Sequence, residues 1–244
     1  MPPNDYFTFK KFTIQQHKTA MKVCTDACIL GAWASVEGKK QILDIGTGTG
    51  LLALMLAQRT ANDTVISAIE IEPNAAAQAK ENFQKSPYQS QINLYEQSIQ
   101  QFITEANKNA YDCIVVNPPF YAAHQKSPSE AKNIAMHSEQ LHLPELIRCF
   151  EHLLSPEGQC FVLLPPASFS TFELVVQKST LHTARILEIY HQEGKNILRK
   201  IYVLSHHKNT AERNQNHTEI LYIKENEQYT PSFIQLMKDY YLIF

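Results

Sequence analysis

From residue 41 onward, short apolar, β-branched runs alternate with helical stretches, and that alternation limits the chain to few architectures. Strands are expected at 41–46, 64–72, 92–96, 111–117 and 159–165. Helices are expected at 51–60, 73–85, 98–108, 143–154 and 168–180 between and after them. Such an alternation predicts an α/β fold, a parallel sheet with helices on both faces. Runs such as CIVV and FVLL are apolar at every position, as in strands covered on both sides. ARILEIYH and LRKIYVLS, around Glu193-Gly194-Lys195, read as a closing hairpin that supplies an antiparallel edge strand. Residues 1–40 stand apart as an N-terminal extension packed on the core, and no Pro/Gly/Ser-rich linker divides the chain. A single domain spanning 1–244 is therefore expected.

Three of the seven glycines, Gly46, Gly48 and Gly50, fall just after the first of these strands. Glycine there permits positive φ and lets a ligand come close to the main chain. The helix that follows offers free N–H groups and a positive end. The dinucleotide fingerprint G-x-G-x-x-G is incomplete, because Leu51 stands where its third glycine belongs. Asp44 precedes the loop instead, giving D-x-G-x-G-x-G. A carboxylate there repels a pyrophosphate but suits the ammonium of an amino-acid-like ligand.

This loop resembles motif I of the class I S-adenosylmethionine-dependent methyltransferases. The resemblance implies a Rossmann-like, seven-stranded, mostly parallel sheet and S-adenosylmethionine as cofactor. It also implies cofactor contacts at Asp44, Gly46, Gly48 and Gly50. The second strand ends at Glu70-Ile71-Glu72-Pro73, where an acidic side chain can accept both ribose hydroxyls. Glu70 aligns best with that carboxylate and Glu72 is the fallback. At the end of the third strand, Ser98 stands where the family often has an acid near the adenine. Ser98 either bonds the adenine or caps the next helix.

The most informative tetrapeptide is Asn117-Pro118-Pro119-Phe120, after the strand YDCIVVN. Two prolines stop the strand and supply no N–H, so the last carbonyls stay free to accept hydrogen bonds. Asn117 adds an amide acceptor and Phe120 a flat face for stacking. A planar amino-bearing base fits those groups. The motif resembles (N/D)PP(Y/F) of amino-group methyltransferases, which implies catalytic roles for Asn117, Pro118, Pro119 and Phe120. Taken alone it leaves adenine N6, guanine N2 and a protein glutamine open as acceptors. A non-catalytic RNA-binding module is the remaining rival, and the intact Asp44 loop and tetrapeptide argue against it.

FTFKKF at 7–12 and AMKVCTDACILGAWA at 20–34 are similar to the bacterial tRNA adenine-N6 methyltransferases acting beside the anticodon of valine tRNA. The similarity extends to the C-terminal YYLIF. It implies transfer to N6 of adenosine 37, in a loop base that is already largely unpaired. It also places Lys22–Asp26 over the methionine end of the cofactor, with Thr25 and Asp26 as contacts. Asp26 has a helix-capping reading as well. Ile29, Leu30 and Trp33 are expected in the core.

Charge supports a basic-flank reading of RNA binding. Residues 1–22 carry four lysines against one aspartate, and 185–213 carry six basic against three acidic groups. The stretch 41–120 carries four basic and eight acidic groups, which does not suit a polyanion. The tRNA contacts are therefore expected from Lys10, Lys11, Lys18 and Lys22, with Arg199 and Lys200 behind them. His137 is a further candidate for phosphate or base. Five cysteines with no CxxC pair read as reduced thiols in a cytoplasmic protein, and no metal site is expected. No apolar run is long enough to span a membrane and no secretory signal is expected, so Asn62-Asp63-Thr64 and Asn216-His217-Thr218 read as chance sequons. A monomer is expected.

Overall fold

The computed structural model describes residues 4–19, 21–106, 108–118, 142–207 and 217–244. An N-terminal hairpin, β1 (Tyr6–Thr8) and β2 (Thr13–Gln15), precedes helix α1 (Thr25–Trp33). The alternating segment follows as β3 (Gln41–Ile45), α2 (Leu51–Ala57), β4 (Val65–Glu70), α3 (Pro73–Gln84), β5 (Ile92–Glu96), α4 (Ile99–Glu105) and β6 (Tyr111–Val116). After it come α5 (Leu143–Leu153), β7 (Leu154–Leu164), α6 (Phe169–Gln177), β8 (His182–Gln192) and β9 (Ile197–Ser205). The described chain closes with β10 (His217–Glu225), β11 (Gln228–Tyr229) and α7 (Pro231–Met237).

The main sheet has the order β11-β10-β8-β9-β7-β6-β3-β4-β5. Strands β5, β4, β3, β6 and β7 are mutually parallel, as the alternation predicts. Strand β9 runs against both β7 and β8, so the hairpin turns this side of the sheet antiparallel. The edge is antiparallel too, with β11 against β10. The count differs from expectation: among the described residues the sheet has nine strands, not seven. Strand β10 joins β8 in parallel and extends the sheet, and β11 folds back on β10.

Alternation sends side chains to two cores. On one face Ile42, Cys113, Val115, Phe161 and Val203 pack with α1, α2, α3 and α7. On the other Leu43, Ile114, Val116, Val162 and Leu204 pack with α4, α5 and α6. The N-terminal segment belongs to the first core through Phe9, Phe12 and Ile14. Gln15 donates its N–H to Asn82 Oδ1 on α3 (2.9 Å), and Lys10 donates its N–H to the Tyr240 carbonyl (2.8 Å). Residues 155–158, which precede the strand expected at 159–165, form a bulge within β7, where pairing jumps from Tyr111–Leu154 to Cys113–Gln159.

Candidate active site

Strand β3 lies between β4 and β6, and the chain proceeds outward from it first through β4 and β5, then through β6 and β7. That reversal is the switch point at which open α/β sheets bind ligands, beyond the carboxyl ends of the strands. Registers pair Asp44 with Ala68 and with Val115. Continuing the alternation, Asp44, Glu70 and Asn117 emerge on one face of three adjacent strands.

The loop after β3 holds Gly46, Gly48 and Gly50 at φ +70°, +58° and +84°. A Cβ at Gly46 or Gly48 would meet nothing within 4 Å, so these two leave an open cradle of main chain. Gly50 differs: a Cβ there would come within 2.4 Å of the Phe83 ring, so its glycine serves the packing of α3 against the loop. Gly48→Val puts a branched side chain into the cradle and strains the backbone by about 1–2 kcal/mol. Calorimetric titration with S-adenosylhomocysteine is expected to show affinity reduced at least about tenfold, the largest part from lost space.

Asp44 is fully buried. Its Oδ2 accepts hydrogen bonds from Thr47 Oγ1 (2.6 Å) and the Ala53 N–H (3.1 Å). Its Oδ1 is buried with no partner among the described residues. Burial pushes the carboxyl up to about 7, against the two hydrogen bonds, and the Glu70 charge adds to the rise. A buried carboxylate oxygen without a donor fits a ligand that brings one, such as the ammonium of the methionine end.

Glu70 is 8% exposed and lies against the loop: Gly48 donates its N–H to Oε2 (2.8 Å) and Glu72 donates its N–H to Oε1 (2.9 Å). Each oxygen keeps a lone pair for a hydroxyl donor. Glu72 is committed elsewhere, accepting from the N–H groups of Asn74 and Ala75 at the start of α3. Ser98 caps α4: its hydroxyl accepts from the Gln101 N–H, and the Gln101 side chain accepts from the Ser98 N–H. The sequence signal was the spacing Ser98-x-x-Gln101 of a capping box. Beside it, Gln97 Nε2 is buried without a partner among the described residues, a donor at the end of β5 that the sequence reading passed over.

Asn117 is half-buried and Pro118 buried at the end of β6. Pro119, Phe120 and His137 lie outside the described residues. Thr25 is exposed at the first turn of α1. Asp26 accepts from the Ala27 N–H through Oδ1 (3.1 Å) and pairs with Arg199 Nε through Oδ2 (2.9 Å).

The family model "Methyltransferase small domain" matches residues 29–145. A protein of Dyadobacter fermentans is 42% identical over 246 residues, covering 100% of each chain. One of Aeromonas salmonicida is 37% identical, covering 99% of each. Both are named tRNA1(Val) (adenine(37)-N6)-methyltransferase. The chain belongs to this methyltransferase family. Among solved structures, a predicted O-methyltransferase of Agrobacterium tumefaciens aligns at TM-score 0.65 and 16% identity, over 88% of this chain and 96% of that one. Pyrococcus horikoshii TYW2, solved in complex with MeSAdo, aligns at 0.57 and 13% identity, over 82% and 71%. These distant likenesses carry the fold alone, and it is the class I methyltransferase fold.

Most of the basic residues that sequence reading assigns to tRNA already have partners within this member of the family. Lys10 Nζ donates to the carbonyls of Lys238 and Phe244 (2.6 Å each). Lys18 pairs with Glu81, and Lys22 donates to the Gln16 carbonyl. Lys200 pairs with Glu188 (3.1 Å) and lies over the Phe169 ring (4.9 Å). Lys11 is exposed and makes no ion pair among the described residues. Ile29 and Leu30 are fully buried, and Trp33 meets Phe161 edge-on (6.2 Å). The five cysteines are free thiols, and burial pushes Cys24, Cys28 and Cys113 up to about 12. Among the described residues there is no group that could hold a metal ion and no helix long and apolar enough to cross a membrane.

Proposed function

We propose that this chain transfers a methyl group from S-adenosylmethionine to N6 of adenosine 37 in tRNA1(Val). The observation that carries the reading is full-length similarity to relatives of that name, at 42% and 37% identity. The site's geometry supports it independently of the name. When bound, the cofactor supplies an electrophilic methyl on a sulfonium, so no metal is required. Asp44 takes its ammonium, Glu70 its ribose hydroxyls, and Gly46 and Gly48 leave room for its approach. Thr25 and Asp26 close the methionine end.

Asn117 and the Pro118 carbonyl accept the two N–H bonds of the target amino group. That grip turns the nitrogen lone pair away from the ring and toward the methyl group. Phe120 is assigned to stack on the base, with Pro119 beside it in the tetrapeptide. The proton leaving N6 after transfer goes to water, and no strong general base is assigned. Lys11 takes tRNA phosphate, with Lys10, Lys18, Lys22 and Lys200 contributing through the parts of their surface left open by their internal partners. We place the enzyme in the cytoplasm as a monomeric, single-domain protein, 1–244, acting on mature or maturing tRNA.

Mass spectrometry of nucleosides from a deletion strain tests the reading. N6-methyladenosine is expected to vanish from valine tRNA and to return when the purified protein and cofactor are added. Loss of N2-methylguanosine from rRNA, or of methylglutamine from a protein, would reassign the acceptor.

A further inference from the structure

We propose that Arg199 is a positioning residue of the cofactor site, acting through Asp26, and not a tRNA contact. The proposal rests on the cofactor reading above. It begins with where α1 and α2 lie. A Cβ at Gly31 on α1 would come within 2.8 Å of Met55 on α2, so the helices are in close contact. Arg59, two residues past α2, donates from Nη1 to the carbonyls of Gly31 (3.1 Å) and Ala32 (2.7 Å) near the end of α1. The two carboxyl ends therefore lie together. Five residues back from Gly31 along α1, about 7.5 Å at helical rise, stands Asp26. It stands at the opposite end of α1 from that contact.

Arg199 reaches the same place from the sheet. It pairs with Ile189 across β8–β9 and alternates with Ile201 and Val203, both fully buried on the face that α1 covers. Since β9 runs opposite to β7, Arg199 near its start stands at the carboxyl edge of the parallel strands, where Asp44, Glu70 and Asn117 end. Lys200 is turned to the opposite face, where Phe169 and Glu188 hold it.

The guanidinium is already engaged. Nε donates to Asp26 Oδ2 (2.9 Å) and Nη1 to the Leu198 carbonyl (2.8 Å). Asp26 is only 12% exposed and Arg199 34%, so this charge-assisted bond is shielded more than a surface pair. Asp26 neutralises the guanidinium, which leaves it a weaker partner for a phosphate than an unpaired cation would be. The bond ties the first turn of α1 to the sheet, and the first turn is where Thr25 and Asp26 face the methionine end. Cys24 at the N-cap makes no side-chain capping bond, so the Arg199 bond adds to the anchorage that Tyr241 and the buried Ala27 and Cys28 give this turn.

The test is calorimetric titration of the full chain with S-adenosylhomocysteine, using Arg199→Gln, Arg199→Lys, Asp26→Asn and the double variant Asp26→Asn/Arg199→Gln. Filter-binding to valine tRNA across salt concentrations accompanies it. Arg199→Gln and Asp26→Asn are each expected to weaken S-adenosylhomocysteine by about tenfold, the double variant no further than the weaker single, and Arg199→Lys to recover part of the loss. The tRNA salt slope is expected to stay at its wild-type value, and KM for the cofactor to rise while KM for tRNA does not. Unchanged S-adenosylhomocysteine affinity in folded Arg199→Gln, losses that multiply in the double variant, or a flatter salt slope would each overturn the proposal. Arg199→Lys, which keeps the charge, reads the same question if the glutamine variant fails to fold. A wild-type protein that does not bind S-adenosylhomocysteine would instead overturn the cofactor reading itself.

Discussion

Asp44→Asn is expected to stabilise the protein at pH 8 while weakening its grip on the cofactor. Burial raises the Asp44 carboxyl from the ordinary 3.8 to about 7. Between those values the native state holds a proton that the unfolded chain has released. Stability from this group is therefore greatest at low pH, falls as pH rises through that window, and levels off above about 7. The full span corresponds to at most about 4 kcal/mol. Asparagine has nearly the same shape, and its amide oxygen can still accept from Thr47 or the Ala53 N–H. Its neutral amide removes the cost of burying an ion. Thermal unfolding at pH 5 and pH 8 is expected to show the wild-type protein losing stability between them, with a smaller loss in the variant. In the same variant, S-adenosylhomocysteine affinity is expected to fall about tenfold to a hundredfold, the worth of one charge-assisted hydrogen bond. Wild-type binding near pH 7 should also release protons, because the incoming ammonium favours ionised Asp44; the variant should release fewer. Identical pH profiles for the two proteins would mean that Asp44 is neither strained by burial nor the ammonium partner.

The parts of this molecule legible in the sequence are those set by local pattern. Fully apolar strands, a glycine cluster and a proline stop each act over a few residues, so the parallel core and the Asp44 loop follow from them. Of the two readings open for Ser98, the cap is the one its bonds with Gln101 support. What escaped depends on partners far along the chain. Lys10 ends on the carbonyls of Lys238 and Phe244, Lys18 on Glu81, and Arg199 on Asp26. A count of charges along the chain sees cations there, whereas the fold has already neutralised or occupied them. Strand β10 escaped for a different reason. Its Leu221 and Ile223 are buried but Ile220 is 54% exposed and the run is punctuated by charge, so the pattern is that of a half-covered strand near the edge. Its pairing partner β8 lies two strands back in the chain, beyond any local signal.

Asn117→Ala is expected to lower the single-turnover methylation rate by about tenfold to a hundredfold and to leave S-adenosylhomocysteine affinity within about twofold of wild type. The adenine amino group is conjugated with its ring, so its lone pair is a poor nucleophile until the nitrogen is drawn out of the plane. Two acceptors for its two N–H bonds would do this, and Asn117 and Pro118, the proposed pair, follow directly where β6 stops. Losing one such hydrogen bond in a site closed to water costs about 1–3 kcal/mol of transition-state stabilisation, which is the stated range in rate. The proposed cofactor contacts lie on β3 and just after it, at the end of β4 and on α1, not on β6, and the change removes none of them. Asn117→Asp separates an acceptor from a packing role, because the carboxylate keeps the acceptor while it loses the amide donor and adds a negative charge. It is expected to retain more rate than Asn117→Ala. If alanine turns over at the full rate with a single bound cofactor, Asn117 does not orient the amino group, and the carbonyl of Pro118 must do so without it.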